Sequence, residues 1–361
     1  METRLQTAEI YLRETIASIA HQIDEQVEAL RSALGGLGDR HLLALRVPEF
    51  WNGGGLNDEQ FHRFQELTAR YSGALAFLQT QHQSAAAMLI KSENESLKQA
   101  FLPHMGTGEK LVGIGFSHLR RETNPPLKAV AVDGGYRLHG HIPWITGFDF
   151  FQSVLIAAVL PDGQAVYGMV PFTHQSSNGE IRFSAPMSLA AMTSTNTVTA
   201  DLTEWFLPAS QVVFVLPANA IHNSDRANVL NHSFFALGCA QAGLDVLAVA
   251  SQSPKGVIAP TLETLTQELE ACRNAIYAAK TESFETQLEL RVWSIELMMR
   301  CAHAAVIASS GAANSKSHPA QRVFREALLF SVSGQTTAVL EASLNHLKSL
   351  SKSSIAINLC L

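Results

Sequence analysis

The stretch "VDGGYRLHGHIPWITG", residues 132–147, reads as a tight turn feeding a strand. Asp133-Gly134 is a hairpin signal, and the residues after it carry the aromatic and branched side chains that strands favour. The far end is the unusual part. The sequence there reads as one strand ending and another beginning, with Trp144 in the turn between them. Turns of this kind favour Gly, Asn, Asp or Pro. An indole in that place needs a flat apolar surface to cover or a gap in a core to plug.

On either side of this hairpin the chain keeps reading as strands. "LVGIGFSHL", "LKAVAVDGGYRLHGHIPWIT", "SVLIAAVLPDGQAVYGMVPF", "IRFSAPMSL" and "NTVTADLTEWFLPASQVV" run from about Lys110 to Pro217, punctuated by Gly, Asp and Pro turns. Before Lys110 the apolar period is helical: Ile10, Leu12, Ile16, Ile19, Ile23, Val27 and Leu30 lie at helix spacing. Asn57 or Asp58 caps a further helix, and a helix over "SENESLKQAFLPHM" is expected to stop at Pro103. After Ser224 the helical period returns, with helices expected near 226–252, 261–300 (whole or broken), 300–312 and 320–350. Helices, then strands, then helices make an α+β chain with segregated layers, because a parallel βαβ fold would alternate. The expected divisions are a helical domain at 1–110, a β-barrel-like domain at 111–217 and a helical bundle at 218–361.

Composition bounds the function. The 361 residues are 47% hydrophobic and only 16% charged, enough for large cores and for a buried subunit interface. The formal net charge of −6, without any Lys/Arg tract, points away from nucleic acid. Cys239, Cys272, Cys301 and Cys360 form no CxxC pair and read as reduced thiols of a cytoplasmic protein. The charged, amphipathic first residues do not read as a secretory signal. "FFALGCAQAGLDVLAVA", 234–250, is interrupted by Gln241 and Asp245 and reads as a buried helix; no membrane span is expected. GxGxxG, GxxxxGK[ST], GxSxG and HExxH are absent. His139 and His141 lie two apart on a strand without an apparent third ligand, so no metal site is expected. His82 and His118 read as structural.

Taken together, these segments resemble the acyl-CoA dehydrogenase superfamily. "SLKQAFLPHMGTGEKLVGIGFS" resembles the family's passage from its last N-terminal helix to its first strand. "GGYRLHGHIPWITG" is similar to its G-Y-x-L-x-G-x-K-x-W-I-T-N hairpin, and "LAAMTSTNTVTADLTEWFLPASQVV" to its strand ending in a V-P turn. "LGCAQAGLD", 237–245, resembles the opening C-terminal helix, and "HPAQRVFREALLFSVSGQTT", 318–337, the P-x-x-x-x-x-R-D-A segment that leads to the catalytic loop. The resemblance spans most of residues 30–345. It implies an N-terminal helical domain, a central β-domain and a C-terminal four-helix bundle, with FAD as cofactor. It places Trp144 against the flavin ring, Thr146 near flavin N5, Ser117 at the pyrimidine edge and Thr336 at the same ligand. It also implies a homodimer or homotetramer and a small-molecule substrate such as an acyl-CoA.

Two departures qualify what the resemblance implies. The family's dehydrogenases take an α-proton with a Glu while the β-hydride passes to flavin. Counted from Arg325, Glu326 and Ala327, that Glu's place is Gly334; the alternative place on the first C-terminal helix is Asn228. Glu341 stands seven residues beyond Gly334, roughly 10 Å along a helix, and His232 is the other candidate base. The family's R-x-x-F-G diphosphate segment is "ASQSPKGVIAP", in which Lys255 is the sole cation. FAD, FMN or no flavin therefore remain open. The expected function is a flavin-dependent oxidoreductase lacking the usual Glu. A reduced-flavin monooxygenase and a non-catalytic binding relative are the alternatives.

Overall fold

The structure is a computed structural model and describes residues 3–120, 125–252 and 256–358, with side chains described through Ser349. It divides into two compact units, Met1–Asn223 and Ser224–Leu361.

The first unit opens with α1 (Arg4–Tyr11), a π-helical turn at Leu12–Ile16, α2 (Ala17–Glu25) and α3 (Val27–Gly38). Gln26, in extended conformation, separates α2 from α3. Then come α4 (Asp58–Tyr71), α5 (Gly73–Leu89) and α6 (Glu95–Met105). Asn57 caps α4 with a reciprocal capping box: its side chain accepts from Gln60 N–H, and the Gln60 side chain accepts from Asn57 N–H. Contrary to expectation, α6 does not stop at Pro103 but carries it through to Met105. A proline this close to a helix end removes one backbone donor in a turn that is already losing its partners.

The strands are β1 (Val112–Gly115), β2 (Leu127–Val132), β3 (Gly135–Ile145), β4 (Ser153–Val159), β5 (Ala165–Pro171), β6 (Glu180–Phe183), β7 (Val198–Pro208) and β8 (Val212–Leu216). They form one sheet in the order β6-β7-β3-β2-β4-β5-β8, with β1 added in parallel to β4. The β2–β3 and β4–β5 pairs are the two hairpins expected from "VDGG" and "LPDG". Leu89, Leu97, Leu102 and Met105 from α5 and α6 pack with Val112, Leu155, Tyr167, Met169 and Val213 of the sheet, a shared apolar core between helices and strands.

His82 of α5 locks that junction. Fully buried, it accepts the Val112 N–H at Nδ1 (3.0 Å) and donates from Nε2 to Met105 O (3.0 Å), which fixes a neutral tautomer. Burial pushes its pKa down from 6.5 to about 4. The folded value lies below the unfolded one, so the unfolded chain takes up the proton first. Stability is therefore full above pH 6.5 and falls as pH drops toward 4, by roughly 3 kcal/mol in all. Denaturant midpoints between pH 7 and 4.5 will show this loss, and His82→Gln will remove the part of the slope that His82 contributes.

α7 (Ala220–Ala227) contains the division between the units. The second unit holds α8 (Ser233–Ser251), α9 (Ile258–Ala278), α10 (Phe284–Ser309), α11 (Pro319–Val332) and α12 (Thr337–Asn358). α8, α9, α10 and α11 pack as a four-helix bundle, and α12 lies on α10. α8 and α10 approach closely at Gly243, where a Cβ would stand 2.8 Å from the Cys301 carbonyl. α8 is long and apolar enough to cross a membrane, but two thirds of its most apolar window is buried inside the bundle. Cys239, Cys272 and Cys301 are buried free thiols, and burial pushes both Cys272 and Cys301 up to about 12. Cys360 lies outside the described residues.

Three expected helices are subdivided. The one at 226–252 breaks at 228–232, where Asn228 turns its side chain back onto Ser224 O. The one at 261–300, read as open to a break, breaks at 279–283, where Ser283 caps α10, and α10 then runs through 300 to Ser309 without the expected division there. The helix at 320–350 is two, split by Ser333–Thr336 around Gly334 with φ +62°.

Candidate functional site

Trp144 does not sit in a turn. It is the penultimate residue of β3, inside a β-bulge: Ile142 pairs with Ala200 and Ile145 with Val198, so one extra residue is inserted opposite β7. Strict alternation would send Ile142 and Ile145 to opposite faces. The bulge lets both be buried, at 0% and 1% exposure, and turns Trp144 outward with half its surface exposed. The turn proper follows at Gly147–Phe151, where Phe150 N–H and Phe151 N–H both donate to Gly147 O.

Thr146 beside it is buried, and its Oγ1 lies 3.0 Å from Thr197 Oγ1. Thr197 closes a loop, 192–197, that joins two distant parts of the unit. Gly147 N–H donates to Thr195 O and Phe148 N–H to Asn196 O. On its other side Met192 N–H donates to Asp24 Oδ1 (2.8 Å), Thr193 Oγ1 to Asp24 O, and Ser194 Oγ to Ile23 O, all at the end of α2. Met192 and Asn196 hold left-handed backbone at the two ends of this loop. Ser117, exposed, begins a short 3-10 turn after β1. His139 and His141 each face a β7 carboxylate: His141 Nδ1 is 2.7 Å from Asp201 Oδ1, and His139 Nδ1 is 3.5 Å from Glu204 Oε1. Among the described residues no three His, Cys, Asp or Glu gather as a metal site.

In the second unit, Asn228 is exposed in the turn before α8. Thr336 caps α12, its Oγ1 accepting from Val339 N–H at 3.3 Å. Glu341 is exposed on α12. Lys255 lies outside the described residues.

Gly334, the place counted for the family's Glu, is not open to a side chain. A Cβ on Gly334 would meet His232 Cδ2 at 2.2 Å and Nε2 at 2.4 Å, so the imidazole already fills that direction. His232 stands just before α8, its ring 5.8 Å from Phe235, which stacks on Phe330 at 5.3 Å. His232 Nδ1 lies 2.9 Å from Ser333 Oγ. Ser333 ends α11, and its carbonyl accepts from Arg291 Nη2 at 2.8 Å. Arg291 of α10 is 1% exposed; its Nη1 has no hydrogen-bond partner, and burial draws its pKa down to about 9. Its position in the amphipathic "ELRVWSIEL" gave no signal of this burial, because arginine is normally a surface residue.

Residues 2–109 match the family model described as acyl-CoA dehydrogenase, N-terminal domain. The whole chain is similar to butyryl-CoA dehydrogenase from Megasphaera elsdenii, at 16% identity over 95% of this chain and 97% of that one, with a TM-score of 0.79. It is similar to glutaryl-coenzyme A dehydrogenase in its glutaryl-CoA complex, at 18% identity over 96% and 94%, with a TM-score of 0.78. The acyl-CoA dehydrogenase of Geobacillus kaustophilus matches at 14% identity over 96% and 98%, again with a TM-score of 0.78. No curated protein sequence matches the chain significantly. Residues 2–109 thus match the acyl-CoA dehydrogenase N-terminal family model, and the chain as a whole has the fold of these acyl-CoA dehydrogenases.

Proposed function

We propose that this protein is a flavin-dependent oxidoreductase of the acyl-CoA dehydrogenase type, acting on an acyl-CoA-like thioester in the cytoplasm. The observation that carries the reading is Trp144: a bulge spends regular pairing to present an indole to solvent beside a buried hydroxyl pair. An exposed indole flanked by Thr146, with Ser117 as a further exposed hydroxyl, suits a flat aromatic ligand with a polar edge. These residues fit the ring of a flavin, which when bound supplies the two-electron acceptor of a hydride transfer. The phosphate end has less support, since residues 250–260 contain no Arg, so FMN or weakly held FAD fits the same reading. The protein's own work is to hold the ring at Trp144 and Thr146, and to exclude water from the reacting carbon.

The visible spectrum of the purified protein tests this. A flavin band, bleached by an acyl-CoA without oxygen, supports the proposal. Bleaching only by NADH plus a reductase, with O2 consumed, replaces it with a monooxygenase. A colourless protein that takes up neither FAD nor FMN leaves a non-catalytic binding role. Trp144→Ala will weaken flavin binding about tenfold, the worth of one good stacking contact. Thr146→Ala will have a smaller effect, because its hydroxyl is already paired with Thr197. Flavin fluorescence titration measures both.

The proposal includes a homodimer or homotetramer. Phe324, Leu328 and Val332 make one exposed apolar row on α11, and Leu340, Leu344 and Leu347 another on α12. Rows of this kind on a helix face are normally covered. Sedimentation will give a dimer or tetramer, and Leu328→Glu with Leu344→Glu will shift it toward the 39.2 kDa monomer.

A further inference from the structure

We infer that a recess in the first unit, between α3, the connection from α6 to β1 and the turn after β3, binds a short-chain monocarboxylate. The aliphatic body lies inside and the carboxylate sits on Arg31 at the rim. The recess has a volume of about 140 Å3. Its apolar wall is made by Leu34, Leu43, Leu111 and Phe150, of which Leu34, Leu43 and Phe150 are buried. Two glycines keep it open. Gly108 has φ +77°, and a Cβ there would stand 3.1 Å from Leu43 Cδ1. At Gly35, on α3, a Cβ would meet nothing within 4 Å. An apolar cavity of about 150 Å3 takes one molecule the size of benzene, so this recess holds an apolar body of about four to six carbons.

The rim carries a cation that is already held in place. The Arg31 guanidinium lies over the Phe150 ring, 4.8 Å from its centroid, and donates from Nη1 to Asp149 O at 2.8 Å. Asp149 itself holds left-handed backbone, φ +66°. These two contacts fix the plane of the fork. Nη2 makes no hydrogen bond to any described residue. The pair with Glu28 is loose, at 3.4 Å from Nε, and the Glu28 side chain is 83% exposed; a pair of that kind stabilises little. Thr107, also on the rim, spends its hydroxyl proton on His104 O. A pre-oriented guanidinium with an open edge matches a carboxylate. Among the described residues no second cation lines the recess, so the further charge of a phosphate would go unmet. The recess therefore selects a molecule with one negative charge at one end and an apolar body.

Neither Trp144 nor Thr146 lines this recess, so the inference stands apart from the flavin reading. The two features meet only through the backbone. Phe150 belongs to the Gly147–Phe151 turn that directly follows Thr146, and a ligand held between Arg31 and Phe150 ties that turn to α3.

The test titrates the full-length protein with valerate, with 1-pentanol as its neutral counterpart and acetate as the head without a body, read by saturation-transfer proton NMR. Valerate will bind about tenfold more tightly than pentanol, the worth of one charge-assisted hydrogen bond, and acetate will show no transfer. Arg31→Met will bring valerate down to the affinity of pentanol. Glu28→Gln will tighten valerate roughly two- to threefold, because a competing carboxylate is gone. Gly35→Leu will abolish binding of both by filling the recess, and leucine is the better helix former, so α3 is kept. Thermal melts confirm that each variant is folded, and Arg31→Met decides the matter should Gly35→Leu not be. No transfer to valerate in the parent overturns the inference. Equal affinity for valerate and pentanol in the parent overturns the carboxylate, and valerate binding unchanged in Arg31→Met or in a folded Gly35→Leu overturns the location. Trp144→Ala, which weakens flavin binding, will leave valerate binding as it is, so the two readings fail separately.

Discussion

Gly334→Glu yields a protein less stable than the parent by about 3 kcal/mol or more, and without new dehydrogenase activity. Two costs add. Residue 334 has φ +62°, and a side chain in left-handed backbone costs roughly 1–2 kcal/mol. The Cβ would also lie 2.2 Å from His232 Cδ2, so the imidazole must leave, giving up its bond to Ser333 and its contact with Phe235. A carboxylate inserted in this way arrives at the expense of the group already there. Thermal melts of Gly334→Ala, His232→Ala and the double variant close a cycle. The double variant recovers the steric part and retains only the backbone strain, so the coupling between the sites is favourable by at least ~1 kcal/mol. Additive effects would mean that His232 does not occupy that space.

Glu326→Ala loses about 3–5 kcal/mol, because it takes away the carboxylate paired with a buried guanidinium. Arg322 Nη1 lies 2.7 Å from both carboxylate oxygens of Glu326, one helical turn away, with Glu326 fully buried and Arg322 nearly so. Replacing both together, Arg322→Met with Glu326→Leu, restores most of the loss, since an apolar pair of similar volume carries no desolvation penalty. Chemical denaturation of the two variants checks the contrast. A single variant close to the parent would mean that water reaches the pair.

The order of the elements was legible because each unit repeats its own period: three- and four-residue spacing in the helices, alternation and Gly turns in the sheet. Asp133-Gly134 announced its hairpin, and the structure has a tight turn there. The errors fall where a single residue overrides a period. Nothing local in "PWIT" marks a bulge; the need to bury both Ile142 and Ile145 produces it, and that need appears only once β7 is in place. The split between α11 and α12 did have a signal, the Ser-Gly after Val332, which matches the way helices end. His232 stood in the sequence as a candidate base, but its surroundings were not legible: its meeting with Ser333, 101 positions away, is a property of the folded bundle. Arg291 was hidden for the same reason, since its burial and its bond to the Ser333 carbonyl, 42 positions away, arise only in the folded bundle.

The loop at 192–197 has a bearing on how this chain can be cut and recombined. Its backbone and hydroxyls are claimed on one side by Ile23 and Asp24 and on the other by Gly147 and Phe148, so a strand-to-helix strap crosses the unit far from both in sequence. The first two dozen residues are thus part of the scaffold that holds the Trp144 bulge. A proteolytic nick between α2 and α3 would leave the strap attached to one fragment and its anchor on the other. A chimera that exchanged residues 2–109 for those of a relative would have to bring its own counterparts of Asp24 and the Ile23 carbonyl, or the donor of the indole would inherit a slack support. In this chain the seam for exchanging parts lies after the sheet, near Asn223, and not before it.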